Sequence, residues 1–204
     1  ELLGRFNFSN ILAVIATLIS LMSREDSGHI DLAKILDSIS SLSSADGRME
    51  IVNGSNEVTT IVDYAHTPDS LRNALETLKC HFKGEIWCVF GCGGNRDEGK
   101  RPIMGEIAES FADHIVITDD NPRNEPGDRI VSQILSGIQK HQNVSIIRNR
   151  AKAISHAITN ASPADLIFIA GKGHETYQEI SGRRVIFSDK VHAKSALRAR
   201  GSVA

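Results

Sequence analysis

Cysteine, aromatic residues and net charge are all in short supply. The three cysteines, Cys80, Cys88 and Cys92, form no closed disulfide set, and the chain opens without the basic, apolar and cleavage regions of a secretory signal. A reducing cytoplasm is therefore the expected location. No C-x-x-C pair exists and Cys88 sits in an apolar strand pattern, so the thiols beside His81 read as buried rather than as zinc ligands. Aromatics make up 5% of the chain and the formal charge is -2, with no arginine-rich or aromatic-interleaved face, which argues against a nucleic-acid partner. The longest apolar run, residues 11–22, contains Thr17 and Ser20 and is too short to cross a bilayer, so a membrane is not expected either. It reads as a core helix. A small-molecule partner is left.

With 204 residues, 41% hydrophobic and 24% charged, the chain can bury one substantial core with a smaller helical appendage. There is no internal repeat and no low-complexity tract. The absence of an initiator methionine before Glu1 suggests a piece of something longer.

Residues 11–22 repeat their apolar positions at helical spacing, with Ser9 or Asn10 as the expected N-cap. A second amphipathic helix carries Ile30, Leu32, Ile35, Leu36, Ile39 and Leu42, after which serines thin into a linker near residues 43–47. The expected division is 1–46 and 47–204. A hairpin with a glycine turn at Asn53-Gly54-Ser55-Asn56 joins strands over 48–52 and 58–62. Strands and helices then alternate: strands at 86–90, 114–118, 144–147 and 166–170, and helices from Pro68 and at 102–111, 129–139 and 151–160. A late hairpin through Ser181-Gly182 and a basic helix from Asp189 follow. This alternation predicts an α/β fold, a doubly wound, mostly parallel sheet with a short helical segment before it.

In such a sheet, ligands bind outside the carboxyl ends of the strands. Four loops fall there. Asp120-Asn121-Pro122-Arg123 follows the 114–118 strand, and Pro122 stiffens the turn from which Arg123 leaves as a planar clamp for a carboxylate or phosphate; a helix-capping surface turn is the plainer reading. In the loop from Gly91 to Pro102, Gly94, Gly99 and Lys100 match P-loop spacing, but Arg101 and Pro102 replace the Ser or Thr that would hold magnesium. Arg96, Lys100 and Arg101 there could still gather anions, unless the loop is simply solvated. Gly171-Lys172-Gly173-His174-Glu175 follows the 166–170 strand, where a histidine that holds the loop is commoner than a general base. Asp63-Tyr64-Ala65-His66 is the fourth, with Asp63 a candidate for ribose hydroxyls, a metal or a helix cap. Two arginines, an amide and a carboxylate would suit a zwitterionic ligand.

These four loops, that of Asp63-Tyr64-Ala65-His66 extended through Thr67-Pro68-Asp69-Ser70-Leu71, resemble in order and spacing the Mur ligases of peptidoglycan synthesis, specifically members that add meso-diaminopimelate. The likeness runs from about Gly4 to Arg200. It implies the last helices of a central ATPase domain followed by a complete C-terminal Rossmann-like domain. It also implies meso-diaminopimelate at Arg96, Asp120, Asn121, Pro122, Arg123, Gly171 and Glu175, and ATP near Asn7, Asn10, Arg48, Asp63 and His66. Mg2+, a UDP-MurNAc-dipeptide and the rest of the same polypeptide complete the implied partners. The true P-loop, the central-domain magnesium ligands and a modified lysine are absent, so the chain alone is expected to be inactive, with no catalytic residue and no metal ligand of its own. Asn149 stands where the resemblance implies aspartate, and Asp46 where it implies proline. A free-standing amino-acid-binding module and a folate polyglutamate synthetase-like domain are the alternatives.

Overall fold

A computed structural model describes residues 5–22, 32–40, 42, 44–52 and 58–201. The chain divides into two compact units, Glu1–Ser44 and Ala45–Ala204.

In the first unit, α1 spans Arg5–Met22 and α2 spans Leu32–Ser40. Ser9 and Asn10 lie inside α1 instead of capping it: no proline or glycine separates Arg5 from Ile11, so the helix begins further upstream. The expectation of a core helix fails in this chain, because Leu12, Val14, Leu18 and Leu21 are 38–56% exposed. The apolar residues run round α1 instead of forming one stripe, and no single neighbour could cover them. On α2, Ile35 is buried while Leu36 is exposed, as is Leu42 beyond the helix; Ile30 lies outside the described residues.

The second unit holds β1 (Glu50–Ile51), β2 (Thr59–Asp63), α3 (Pro68–His81), β3 (Ile86–Phe90), α4 (Lys100–Phe111), β4 (His114–Ile117), α5 (Gly127–Leu135), β5 (Val144–Ile146), α6 (Arg150–Asn160), β6 (Leu166–Ala170), β7 (Tyr177–Ile180), β8 (Arg183–Ile186) and α7 (Asp189–Gly201). Sheet order is β1-β2-β6-β3-β4-β5, parallel apart from the β1–β2 pair. β1 and β2 pair as a hairpin, Glu50 opposite Val62; the Asn53-Gly54-Ser55-Asn56 turn lies outside the described residues.

Every residue of β3 and β6 is buried, which is why both read as unbroken apolar runs. Val62, Trp87, Val89, Val116, Ile167 and Ile169 share one face with Ala153, Ile154 and Ala157 of α6 and with Ala193 and Leu197 of α7. Alternation turns Ile61, Cys88, Phe90, Ile117 and Phe168 to the opposite face. Burial lifts the Cys88 and Cys92 thiols to about 12, while Cys80 is exposed.

Two helices start or stop away from the expected residues. α4 begins at Lys100, because the first-turn N–H groups need no acceptor within the helix and Pro102 costs nothing there. α5 ends at Leu135, not 139, and a tight turn follows. Gly137 in that turn lies so close to Pro102 that an added Cβ would sit 1.9 Å from the Pro102 carbonyl oxygen.

Candidate functional site

The carboxyl ends of β2, β6, β3 and β4 deliver their loops to a single cleft of about 570 Å³. His66 comes from the β2 loop and Arg96 from the β3 loop; Asp120, Asn121 and Arg123 come from the β4 loop, and Gly171 and Glu175 from the β6 loop.

The β4 loop is held from both sides. Arg123 has φ +52°, a left-handed conformation that an L residue adopts only when its surroundings enforce it. Its backbone is tied to β7, where its N–H donates to the Glu179 carbonyl at 3.0 Å and its carbonyl accepts from Ser181 N–H at 2.7 Å. Its side chain is aimed by Nη1, which donates to the Gly94 carbonyl at 2.9 Å, and by Nε, 3.4 Å from Glu179. Gly93 leaves room for it: a Cβ there would meet Arg123 Nη1 at 2.9 Å. Pro122 does not line the cleft; its carbonyl accepts from Glu125 N–H at 3.0 Å and packs against Gly94.

The side chain of Asn121 is almost fully engaged. Its Nδ2 donates to Glu175 at 3.0 Å, and its Oδ1 accepts from Lys172 Nζ at 3.0 Å and from Glu179 N–H at 2.9 Å. Burial pushes the Glu175 carboxyl up, but hydrogen bonds from Lys172 and Asn121 and the charges of Lys172 and Arg123 outweigh it and leave the group below the usual range. Gly171 has φ +118°, and a Cβ there would press on Asp120 Oδ2 at 3.1 Å. Arg96 is exposed at the rim and has no hydrogen bond or ion pair among the described residues.

The other expected anion-gathering residues separate. Arg101 is fully buried and forms a two-pronged pair with Glu125 at 2.6 and 2.8 Å, so it is not available to a ligand. Burial of a guanidinium needs such a partner, and the partner stands 24 residues away on the next loop. Lys100 lines the cleft and donates to the His66 carbonyl at 2.7 Å, joining two loops. The hydrogen bonds from Arg101, aided by Asn95 N–H and opposed by burial, hold the Glu125 carboxyl at about 2 against an ordinary 4.5. A depressed carboxyl contributes stability above its unfolded value and loses it as the pH falls. Unfolding free energy should therefore drop between about pH 4.5 and 2. Denaturant titrations across that range should give Glu125→Gln a visibly shallower slope than the parent chain; matching slopes would show that this pair carries none of the acid sensitivity.

On the β2 side, Nδ1 of His66 faces the Tyr64 carbonyl at 2.7 Å; a carbonyl can only accept, so Nδ1 carries the proton and Nε2 is left for a ligand. Asp63 lies behind the cleft wall, its carboxylate taken by Met49 N–H and Ala65 N–H, both at 2.7 Å, and burial outweighs those bonds to push its carboxyl above the usual value. Arg48 stacks over the Tyr64 ring at 4.7 Å. His174 is exposed, its ring 5.4 Å from that of Tyr64 and outside the cleft lining. In the first unit, Asn10 is exposed on α1; the side chain of Asn7 lies outside the described ones. Asn149 caps α6 by accepting from Lys152 N–H at 3.0 Å, a role aspartate would fill equally well. Among the described residues no group of three His, Cys, Asp or Glu side chains could hold a metal ion, and no helix is long and apolar enough to cross a membrane.

Lys172 and Tyr177 escaped the sequence reading. A lysine between two glycines looks like solvated loop, and nothing local says that Lys172 is fully buried under the cleft. Tyr177 lines the cleft from β7, with Arg184 stacked 4.4 Å from its ring.

A protein from Pseudomonas putida named UDP-N-acetylmuramoyl-L-alanyl-D-glutamate–2,6-diaminopimelate ligase is 47% identical over 98% of this chain and 39% of its own length. A solved structure of a ligase of that name superposes with a TM-score of 0.75 at 41% identity, over 98% of this chain and 40% of the other. A folylpolyglutamate synthase from Mycobacterium tuberculosis, 18% identical over 83% of this chain and 38% of its own, shares the fold with a TM-score of 0.61. The chain thus spans about two fifths of the length of the ligases it matches. Residues 47–173 match the family model described as Mur ligase, glutamate ligase domain, and by that match, which takes in the β2, β3 and β4 loops and the start of the β6 loop, the chain belongs to the Mur ligase family.

Proposed function

We propose that this chain is the C-terminal, amino-acid-binding part of a cytoplasmic ATP-dependent ligase that joins meso-diaminopimelate to UDP-N-acetylmuramoyl-L-alanyl-D-glutamate in peptidoglycan synthesis. One observation carries the reading: Arg96, Arg123 and Glu175 share one cleft. Diaminopimelate has a second amino-carboxylate centre that ordinary amino acids lack. The preset fork of Arg123, with Arg96 at the rim, suits the ligand's carboxylates. Glu175 and Asp120 suit an ammonium group, and Gly171 keeps the backbone low enough for the ligand to approach. Asn121 and Pro122 hold the loop in shape.

The His66 and Lys100 end of the cleft, beside the N-terminus of α3, suits anionic phosphate. There His66, with Arg48 and Asp63 shaping the loop behind it, would meet ATP. ATP supplies the phosphoryl group that activates the glutamyl carboxylate. The Mg2+ ligands are assigned to the rest of the polypeptide, as the resemblance to the Mur ligases implies. This chain's part in catalysis is to hold the amine-bearing substrate in one orientation, a positioning effect that can account for much of a bimolecular barrier. A free-standing amino-acid-binding module would lack a P-loop in the sequence preceding this chain. A folate ligase would bind glutamate, whose distal carboxylate sits on a shorter chain and carries no distal amine for Glu175 and Asp120.

Comparison of meso-diaminopimelate with L-lysine, by ADP release from the full-length protein with ATP, Mg2+ and the UDP-dipeptide, tests the proposal. Lysine has no distal carboxylate to meet the Arg123 fork, a loss of about 2–5 kcal/mol for a charge-assisted pair of this kind. Its kcat/KM should be lower by about 30-fold or more. Equal use of the two amino acids would overturn the assignment.

A further inference from the structure

Lys172 is the charged group in this site that no ligand contact explains. Its side chain is fully buried, and an isolated ammonium in that position would be costly. It persists because three acceptors surround Nζ: Glu175 Oε2 at 2.9 Å, Asn121 Oδ1 at 3.0 Å and Asp120 Oδ1 at 3.4 Å. Two of them are carboxylates that line the cleft, whereas Lys172 does not line it.

The neighbouring guanidinium of Arg150 feels both carboxylates through space but makes no hydrogen bond to either. Arg150 is already paired with Asp189 through Nε and Nη2, both at 2.7 Å. Asp120 and Glu175 therefore share a single ammonium in direct contact, that of Lys172, while the arginines whose charge reaches Glu175, Arg123 and Arg150, each have a carboxylate of their own in Glu179 and Asp189. Glu175 Oε1 and Asp120 Oδ2 have no hydrogen-bond partner among the described residues. A second ammonium arriving from the cleft would complete two carboxylates with two cations.

We propose that Lys172 is a positioning residue for amino-acid binding: it is the fixed cation of a two-carboxylate, two-ammonium cluster, and the ligand's distal amine is the exchangeable one. This rests on the amino-acid reading of the cleft. Without Lys172 the two carboxylates would repel each other or take up a proton, and in either event lose the arrangement that recognises an incoming ammonium. Lys172 thus makes the distal amine, and not only the distal carboxylate, a condition of tight binding.

The test uses the full-length protein, with meso-diaminopimelate and 2-aminopimelate, which keeps the distal carboxylate but lacks the distal amine. Lys172→Met preserves the side-chain stem and removes the charge. The expected result is a rise of about tenfold or more in KM for diaminopimelate, KM for ATP within about twofold, and collapse of the preference for diaminopimelate over 2-aminopimelate. Lys172→Gln, which keeps a donor, serves if the methionine variant does not fold and should show the same collapse. An unchanged preference in a folded variant, or a uniform loss across all substrates, overturns the inference. Arg123→Ala run in parallel separates the two claims. If Arg123→Ala leaves the diaminopimelate KM unchanged, the cleft reading itself is wrong. If it raises KM while Lys172→Met preserves the preference, only the role of Lys172 fails.

Discussion

Replacement of Arg123 by alanine is expected to raise the diaminopimelate requirement of the full-length protein by roughly tenfold or more, with little change in the ATP requirement. The size of the effect follows from how much of the guanidinium's freedom is already spent. The left-handed backbone, the bonds to Glu179 and Ser181 and the Nη1 contact with Gly94 aim the side chain before any ligand arrives. Binding then costs little side-chain ordering, so most of the charge-assisted interaction appears as affinity. ATP is assigned to the other end of the cleft, where Arg123 makes no contact. Initial-rate measurements with each substrate varied in turn decide the matter, and parallel increases in both KM values would refute the assignment.

Conversion of Asp189 to alanine should cost about 3–5 kcal/mol of unfolding free energy, the range for removing one partner from a buried ion pair. Both side chains of the Arg150–Asp189 pair are fully buried. The arginine has little else to rely on: Nη2 donates to the Ala170 carbonyl at 2.9 Å, while Nη1 already lacks a partner. Urea denaturation of the chain measures the loss. The double variant Arg150→Met, Asp189→Leu is the control, because it removes the stranded charge as well and should recover much of the stability. A single variant within about 0.5 kcal/mol of the parent would show that water reaches the pair.

Strands buried on both faces were the easiest parts to read from residues alone. Ile86–Phe90 and Leu166–Ala170 are continuous apolar runs, and their ends fall where the runs end. The loops at their carboxyl ends were legible for the same reason, since a parallel sheet sends every such loop to one edge. What stayed hidden depends on partners distant in sequence. Arg101 looks like a free cation until Glu125 is seen against it. Lys172 looks solvated until the β4 loop closes over it. The exposure of Leu12 and Leu18 on α1 runs against composition, because apolar residues suggest a core without saying which chain segment supplies the other half. The place of β6 between β2 and β3 is equally invisible to local pattern.

That last placement has a consequence for biosynthesis. β2 and β3 do not pair with each other; each meets β6, whose Ile167 and Phe168 stand between Thr60 and Ile61 on one side and Trp87 and Cys88 on the other. Until residues 166–170 have been made, nothing can join the β1–β2 and β3–β4–β5 parts of the sheet, and any pairing within either part leaves an apolar edge open. Closure waits for the wedge to arrive late, so the interval before its emergence is when the chain is most exposed to aggregation and most in need of chaperone protection.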